Sequence, residues 1–326
     1  MKRSSRFNGL NLADNIILRK SARIIQENKL FVKAQAFLYN MEMGLFQNKK
    51  KVGIVFGGGG ARGFAHLGAI KAFYDNGIKF DAVAGTSVGS IAAMYYSLQM
   101  PYAELYNTVK KWGARDLFSS KVFFVPSDPK VLEGTLHEAL GERDTFAACK
   151  MPTAFLSVDI TTGHDEVFKT TDGQFDKKPA IKTANKEGAA ANGEEVLPSF
   201  AMSASCAVPI VFSPVQLGHK KLMDGGLSST IPAYLLKEMG CDEIVCVDVS
   251  GADDIKTKGN GVFEVLSASI QILIKSTAKS GKYESDVIIR PDVQGHGLTQ
   301  VSNMDELIEA GYKATMEKIA EIRKLF

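Results

Sequence analysis

The chain is 326 residues long, 45% hydrophobic and 23% charged, with a net charge of +3 at pH 7, an ordinary globular composition with material for a large core. No run of 18 or more apolar residues predicts a membrane-spanning helix, and no apolar h-region follows the basic N-terminal residues to make a secretory signal. The four cysteines show no C-x-x-C pair and no histidine spacing for a zinc site or a disulfide framework, so the expectation is buried free thiols in a cytoplasmic protein without metal or other cofactor.

Residues 1–51 hold eleven Lys/Arg against three acids, net +8, which leaves −5 for the rest of the chain. Within this basic stretch Leu12, Ile16, Ile17, Ile24 and Ile25 recur at helical spacing over 12–27, and a second amphipathic run follows over 30–46. The pattern predicts a basic helical arm over 1–50, with a polar linker at 47–51. Its charge suits peripheral attachment to an anionic membrane surface, or is a solvated face of helices packed on the body. It carries no recognised nucleic-acid motif, so no nucleic-acid partner is expected.

Beyond the linker the pattern changes. KVGIVF predicts a strand that stops at glycines, and a helix follows over 62–76, ended by Asn76-Gly77. FDAVAGTS predicts a second strand from Phe80, with a helix over 87–99 that stops before Pro101. Strand, turn and helix repeated in this way predict a parallel sheet covered by helices. Further strands are expected at 152–161, 165–170, 209–217, 242–250 and 285–293, and helices at 128–140, 199–206, 230–239, 262–279 and 304–324. Residues 171–197 are polar and rich in Gly, Lys and Glu. They read as a mobile insertion in a body that spans 51–326.

Two glycine motifs follow the first two strands. Gly58-x-Gly60-x-x-Gly63 fits a dinucleotide fingerprint, but that site needs an acid at the end of the second strand, and Asp81 stands at its start. A P-loop needs Gly-Lys-Ser/Thr after the glycines, which is absent. Gly85-Thr86-Ser87-Val88-Gly89 is G-x-S-x-G between a strand and a helix, the setting of a nucleophile elbow; the plainer reading is a serine that caps the helix. Small residues at Gly85 and Gly89 permit a tight turn that pushes Ser87 out at the carboxyl edge of the sheet, at a helix N-terminus. Both loops leave parallel strands at the same edge, so glycine N–H groups would face the oxyanion formed when Ser87 attacks a carbonyl. Gly58, Gly59 and Gly60 are the expected donors, with Arg62 adding positive charge or bracing the loop.

The proton acceptor is less legible. His66 falls in a helix among small and apolar neighbours and reads as a packing residue. His137, His164 and His219 have no supporting motif, and His296 has only the chain order of a Ser-Asp-His triad. Asp224-Gly225-Gly226 holds a carboxylate on a turn close to another loop, or is a hairpin turn.

Taken in order, GGGGARGFAHLG, GTSVGS and DGG, with the whole stretch 204–250 around Asp224, resemble the patatin-like phospholipases over about residues 51–326. The resemblance implies a three-layer α/β fold with a mostly parallel central sheet flanked by helices. It implies a Ser87–Asp224 dyad in place of a triad, Gly58–Gly60 and Arg62 at the oxyanion, Gly225 and Gly226 completing the aspartate loop, and a non-catalytic His66. The implied activity is metal-free hydrolysis of glycerolipid acyl esters through an acyl-enzyme, with a lipid as substrate. Thr230-Ile231-Pro232 stands where family members often carry Asn-x-Pro. A dinucleotide-binding oxidoreductase and a non-catalytic lipid-binding protein of the same fold are the competing classes, and the oligomeric state is open.

Overall fold

In the computed structural model, residues 50–112, 126–170, 196–251, 261–296 and 303–326 are described, all within the unit Lys50–Phe326. The helical arm expected over 1–50, apart from Lys50, and the insertion expected over 171–197, apart from its last two residues, lie outside the described residues.

Eight strands make one sheet: β1 (Val52–Phe56), β2 (Ala82–Thr86), β3 (Thr153–Asp159), β4 (His164–Lys169), β5 (Val215–Leu217), β6 (Lys220–Asp224), β7 (Glu243–Val247) and β8 (Val287–Ile289). They run in the order β5-β6-β3-β2-β1-β7-β8, with β4 pairing β3 off that path. β3, β2, β1, β7 and β8 are parallel neighbours. β4, β5 and β6 join antiparallel.

The central strands β1, β2 and β3 are buried along their whole length, as parallel strands covered on both faces must be. Side chains alternate between two cores. Ile54, Phe56, Val83, Phe155, Val245 and Val247 face one. Val55, Ala82, Ala84, Ala154, Leu156, Ile244 and Cys246 face the other. The first core is closed by α1 (Phe64–Asp75), α2 (Val88–Ser97), α3 (Tyr102–Lys110), α4 (Pro129–Leu140) and α8 (Met304–Ile322), with α5 (Pro198–Ser205) joining them. The second is closed by α6 (Ala233–Glu238) and α7 (Val262–Tyr283). This is the three-layer α/β arrangement expected, and all four cysteines are free and buried.

α1 and α8 approach to backbone contact. A Cβ built on Gly68 would lie 1.9 Å from the Ile308 carbonyl oxygen, and one on Gly311 would lie 1.9 Å from the Ala65 carbonyl oxygen. Only glycine on both helices permits that approach.

Four elements differ from the sequence expectation, and one of them is β6, the strand that ends on Asp224, where no strand was expected. The strand expected over 209–217 is reduced to Val215–Leu217. Val211 and Phe212 donate their N–H groups back to the Val208 carbonyl, and Ile210 takes φ 73°, so β-prone residues turn inward and line a cavity. The helix expected from 230 starts only after Pro232. α3 was not expected at all, although Leu105 and Val109 behind Pro101 carry the i, i+4 spacing of one buried face.

Candidate active site

β1 and β2 pair with Phe56 opposite Gly85, so the chain leaves both strands side by side. The turn into α2 puts Ser87 at φ 55° and ψ −134°, a conformation that costs a non-glycine residue roughly 1–3 kcal/mol. The crossing is tight on both sides. A Cβ on Gly89 would lie 2.0 Å from the Phe56 carbonyl oxygen, and one on Gly85 would lie 2.2 Å from that of Gly89. The strained elbow is held by three bonds. Ser87 N–H donates to the Ser205 hydroxyl at 2.9 Å, which itself donates to the Leu156 carbonyl. The Ser90 hydroxyl donates to the Ser87 carbonyl at 2.6 Å. The Thr86 hydroxyl donates to the Ser229 carbonyl at 3.0 Å.

The aspartate reaches Ser87 through β3. Thr86 at the end of β2 stands opposite Leu156, and Asp224 at the end of β6 stands opposite Ser157, the next residue. β4 pairs along 154–159 and therefore occupies the other edge of β3. β2 and β6 thus meet end to end along one edge, with Ser87 and Asp224 at the junction. Both side chains line the same cavity.

Asp224 is buried, and its two carboxylate oxygens differ in their surroundings. Oδ1 accepts from Gly226 N–H at 2.7 Å, while Oδ2 has no formed hydrogen bond. Burial pushes the carboxyl up to about 6, although the nearby Ser87 hydroxyl and Gly226 N–H favour the charged form. A base of pKa about 6 is better matched to neutral pH than an ordinary aspartate. If deprotonated Asp224 is required for turnover, activity on a soluble ester rises with pH through a midpoint of about 6. An acid limb centred near the ordinary carboxylate value in the pH–rate profile would exclude this role.

The histidines are occupied elsewhere. His66 is fully buried; its Nε2 donates to the Gly57 carbonyl at 2.8 Å, and burial lowers its pKa to about 4, so it is a neutral brace for the glycine loop. His137 pairs with Asp144 at 2.7 Å. His296 lies 3.7 Å from Glu306. None of the five lines the cavity at Ser87.

The glycine loop lies against the elbow: a Cβ on Gly58 would be 3.3 Å from the Ser87 Cβ. Two of the four expected oxyanion donors are already committed. Gly58 N–H donates to the Thr230 carbonyl at 3.0 Å. Arg62 donates from Nε to the His296 carbonyl at 2.8 Å and from Nη1 to the Ser250 carbonyl at 3.0 Å, so it braces the loops after β7 and β8 and does not line the cavity. Gly59 and Gly60 line the cavity beside Ser87 and donate no backbone hydrogen bond among the described residues. Thr230 fills the bracing role at its position. Beside the bond from Gly58, its hydroxyl contacts the Ile274 carbonyl at 3.0 Å and the Thr277 hydroxyl at 2.8 Å.

Away from this polar corner the cavity is apolar. Val88, Ile91, Ala92 and Tyr95 line it as one stripe of α2 leading away from Ser87, and Phe64, Leu67 and Ile70 of α1 face them. Its volume of about 160 Å³ is comparable to that of a cavity that admits one benzene ring, room for a short length of hydrocarbon. Such a wall excludes water and strengthens electrostatic interactions at the corner. The arrangement supplies a hydroxyl, a buried carboxylate, free N–H groups and an apolar slot, the parts of a serine acyl-transfer site.

The dinucleotide alternative loses its acid. Asp81 accepts from the Val52 N–H at 2.8 Å, at the start of β1 and the opposite end of the sheet from the glycines. Among the described residues, no group of three His, Cys, Asp or Glu is placed to hold a metal ion, and no helix is long and apolar enough to cross a membrane.

Residues 54–237 match the family model described as patatin-like phospholipase. Lysophospholipase nte1 of Emericella nidulans is 25% identical in an alignment 307 residues long that covers 84% of this chain and 18% of that protein. Lysophospholipase NTE1 of Kluyveromyces lactis is 26% identical in an alignment 294 residues long that covers 80% of this chain and 18% of the relative. The chain thus spans less than a fifth of the length of these curated relatives. Among solved structures, VipD from Legionella pneumophila aligns with a TM-score of 0.53 at 13% identity, covering 84% of this chain and 67% of that one; this likeness concerns the fold.

Proposed function

Because the chain belongs to the patatin-like phospholipase family, we propose that it hydrolyses the acyl ester of a glycerophospholipid, with Ser87 as nucleophile and Asp224 as base. The observation that carries the reading is the buried Asp224 carboxylate with Oδ2 unpartnered, beside a serine on a strained elbow that opens into an apolar cavity.

In the proposed cycle the acyl chain lies along the α2 stripe, which brings its ester carbonyl to Ser87. Ser87 Oγ attacks the carbonyl carbon and its proton passes to Asp224 Oδ2. The negative charge on the carbonyl oxygen is met by the Gly59 and Gly60 N–H groups and by the N-terminus of α2. The tetrahedral intermediate collapses, and Asp224 returns the proton to the departing glycerol oxygen. Water then attacks the acyl-enzyme with Asp224 again taking a proton, which releases the fatty acid and restores the Ser87 hydroxyl. The relatives named lysophospholipase favour a monoacyl substrate. Residues 51–326 form the catalytic domain in this reading, and the basic arm over 1–50 adds electrostatic attraction to an anionic membrane face.

A fluorophosphonate probe tests the assignment. It should phosphonylate Ser87 with loss of fluoride, seen as a mass increase on the Ser87 peptide, and should stop fatty acid release from lysophosphatidylcholine in proportion to labelling. Turnover that persists in fully labelled protein, or no turnover of lysophospholipid, phospholipid or nitrophenyl ester by the unlabelled chain, would exclude the reading.

A further inference from the structure

α7 joins the candidate site to the protein surface. Its inner face contributes Ile274 to the cavity wall. Thr277 on the same helix donates to the Gly226 carbonyl at 2.9 Å, and the Thr230 hydroxyl donates to the Ile274 carbonyl, so α7 is bonded to the loop that follows Asp224.

The opposite face is unlike the rest of the surface among the described residues. At 100° per residue, Val262, Val265, Leu266, Ser269, Ile272 and Ser276 fall on one stripe, and every one is exposed. Val262 is 74% exposed, Val265 54%, Leu266 45% and Ile272 57%. Among the described residues nine large apolar side chains are exposed, and these four lie within three turns of one helix. Singly exposed apolar residues need no explanation, whereas a cluster marks an interaction surface. Toward its C-terminal half the stripe becomes polar, and beside it Lys279 stands exposed with no ion pair among the described residues.

We propose that this outer face of α7 seats the protein on a phospholipid bilayer, with the apolar turns in the acyl boundary and Lys279 at the headgroups. The inference rests on the lipid-hydrolase reading. An apolar substrate must leave a lipid phase to reach an apolar slot, and the helix that walls the slot on one side presents apolar residues on the other. An amphipathic helix lying in the interface binds in proportion to the apolar area it inserts and the cationic charge beside it. The bond network then ties the docked helix directly to the Asp224 loop.

The test uses the full chain and vesicles of phosphatidylcholine mixed with phosphatidylglycerol. The double variant Val265→Asp with Leu266→Asp alters two exposed residues outside the cavity. It should lose vesicle binding by about tenfold or more, while hydrolysis of a soluble nitrophenyl ester stays within about twofold and the solution mass is unchanged. Undiminished vesicle binding overturns the proposal. So does a fall in solution mass, which would assign the face to a second copy of the chain. Ser87→Ala should bind vesicles as wild type does. A chain that binds through α7 but hydrolyses no ester would overturn the hydrolase reading and leave the docking surface standing.

Discussion

Asp224→Asn is expected to lower turnover of a soluble ester by about a thousandfold, within the range for loss of a general base, and at the same time to make the folded protein more stable at pH 8. The second effect follows from the raised pKa. The carboxyl titrates near 3.8 when exposed and at about 6 in the fold. Between those values the native state holds a proton that the unfolded state has released, so stability falls as pH rises through the window. Above pH 6 the full penalty is present, about 3 kcal/mol for a shift of this size. Asparagine is neutral at every pH and can keep the acceptor for Gly226 N–H, so it escapes the penalty. The variant's advantage should be about 3 kcal/mol at pH 8 and should vanish as pH falls toward 4. Urea unfolding of both proteins at the two pH values measures it. Equal stability at pH 8, or an advantage that persists at pH 4, would mean that burial of this charge is not what perturbs the group.

Gly311→Ala is expected to destabilise the fold by about 3 kcal/mol or more, at the upper end of overpacking effects. The new Cβ would lie 1.9 Å from the Ala65 carbonyl oxygen. Its neighbour is backbone within a helix, so no side-chain rotamer change relieves the clash and α1 and α8 must separate. α1 begins directly after the turn Gly60–Gly63, so ester turnover should fall with stability, through displacement of the glycine loop. Gly134→Ala is the control. It lies within α4 with nothing within 4 Å of its Cβ, and should be neutral or stabilising by up to about 1 kcal/mol. A lower urea midpoint with an unchanged slope is the expected signature for Gly311→Ala.

The parts of the site that were legible in the sequence are those whose chemistry is local. Gly85, Ser87 and Gly89 enforce a turn whatever surrounds them, and strand followed by glycines followed by helix states where that turn sits. The position of Asp224 needed the family resemblance, since Asp-Gly-Gly alone reads as a hairpin turn. Its function-bearing property, a carboxyl raised by burial, is created by walls contributed from distant segments and leaves no trace in local spacing. The commitment of Gly58 N–H to Thr230 and of Arg62 to two loop carbonyls is likewise tertiary. Residues 209–212 misled for the opposite reason: a β-prone string was needed as cavity wall, and tertiary placement overrode its propensity. α3 was missed although its buried pair Leu105 and Val109 was visible at helical spacing.

β3 acts as a gauge for Ser87 and Asp224, since adjacent residues Leu156 and Ser157 set the stations of Thr86 and Asp224. Both pairings are made by strand residues alone, Val83–Thr86 and Leu222–Asp224 against Thr153–Asp159. A guest domain spliced into the connection between β4 and α5 should therefore leave the two side chains in register. A single residue deleted within β3 has no such licence. It would move one partner along the strand and turn it to the other face of the sheet. Length variation in proteins built this way should accordingly gather in the connections, with the gauge strand the last place to tolerate a gap.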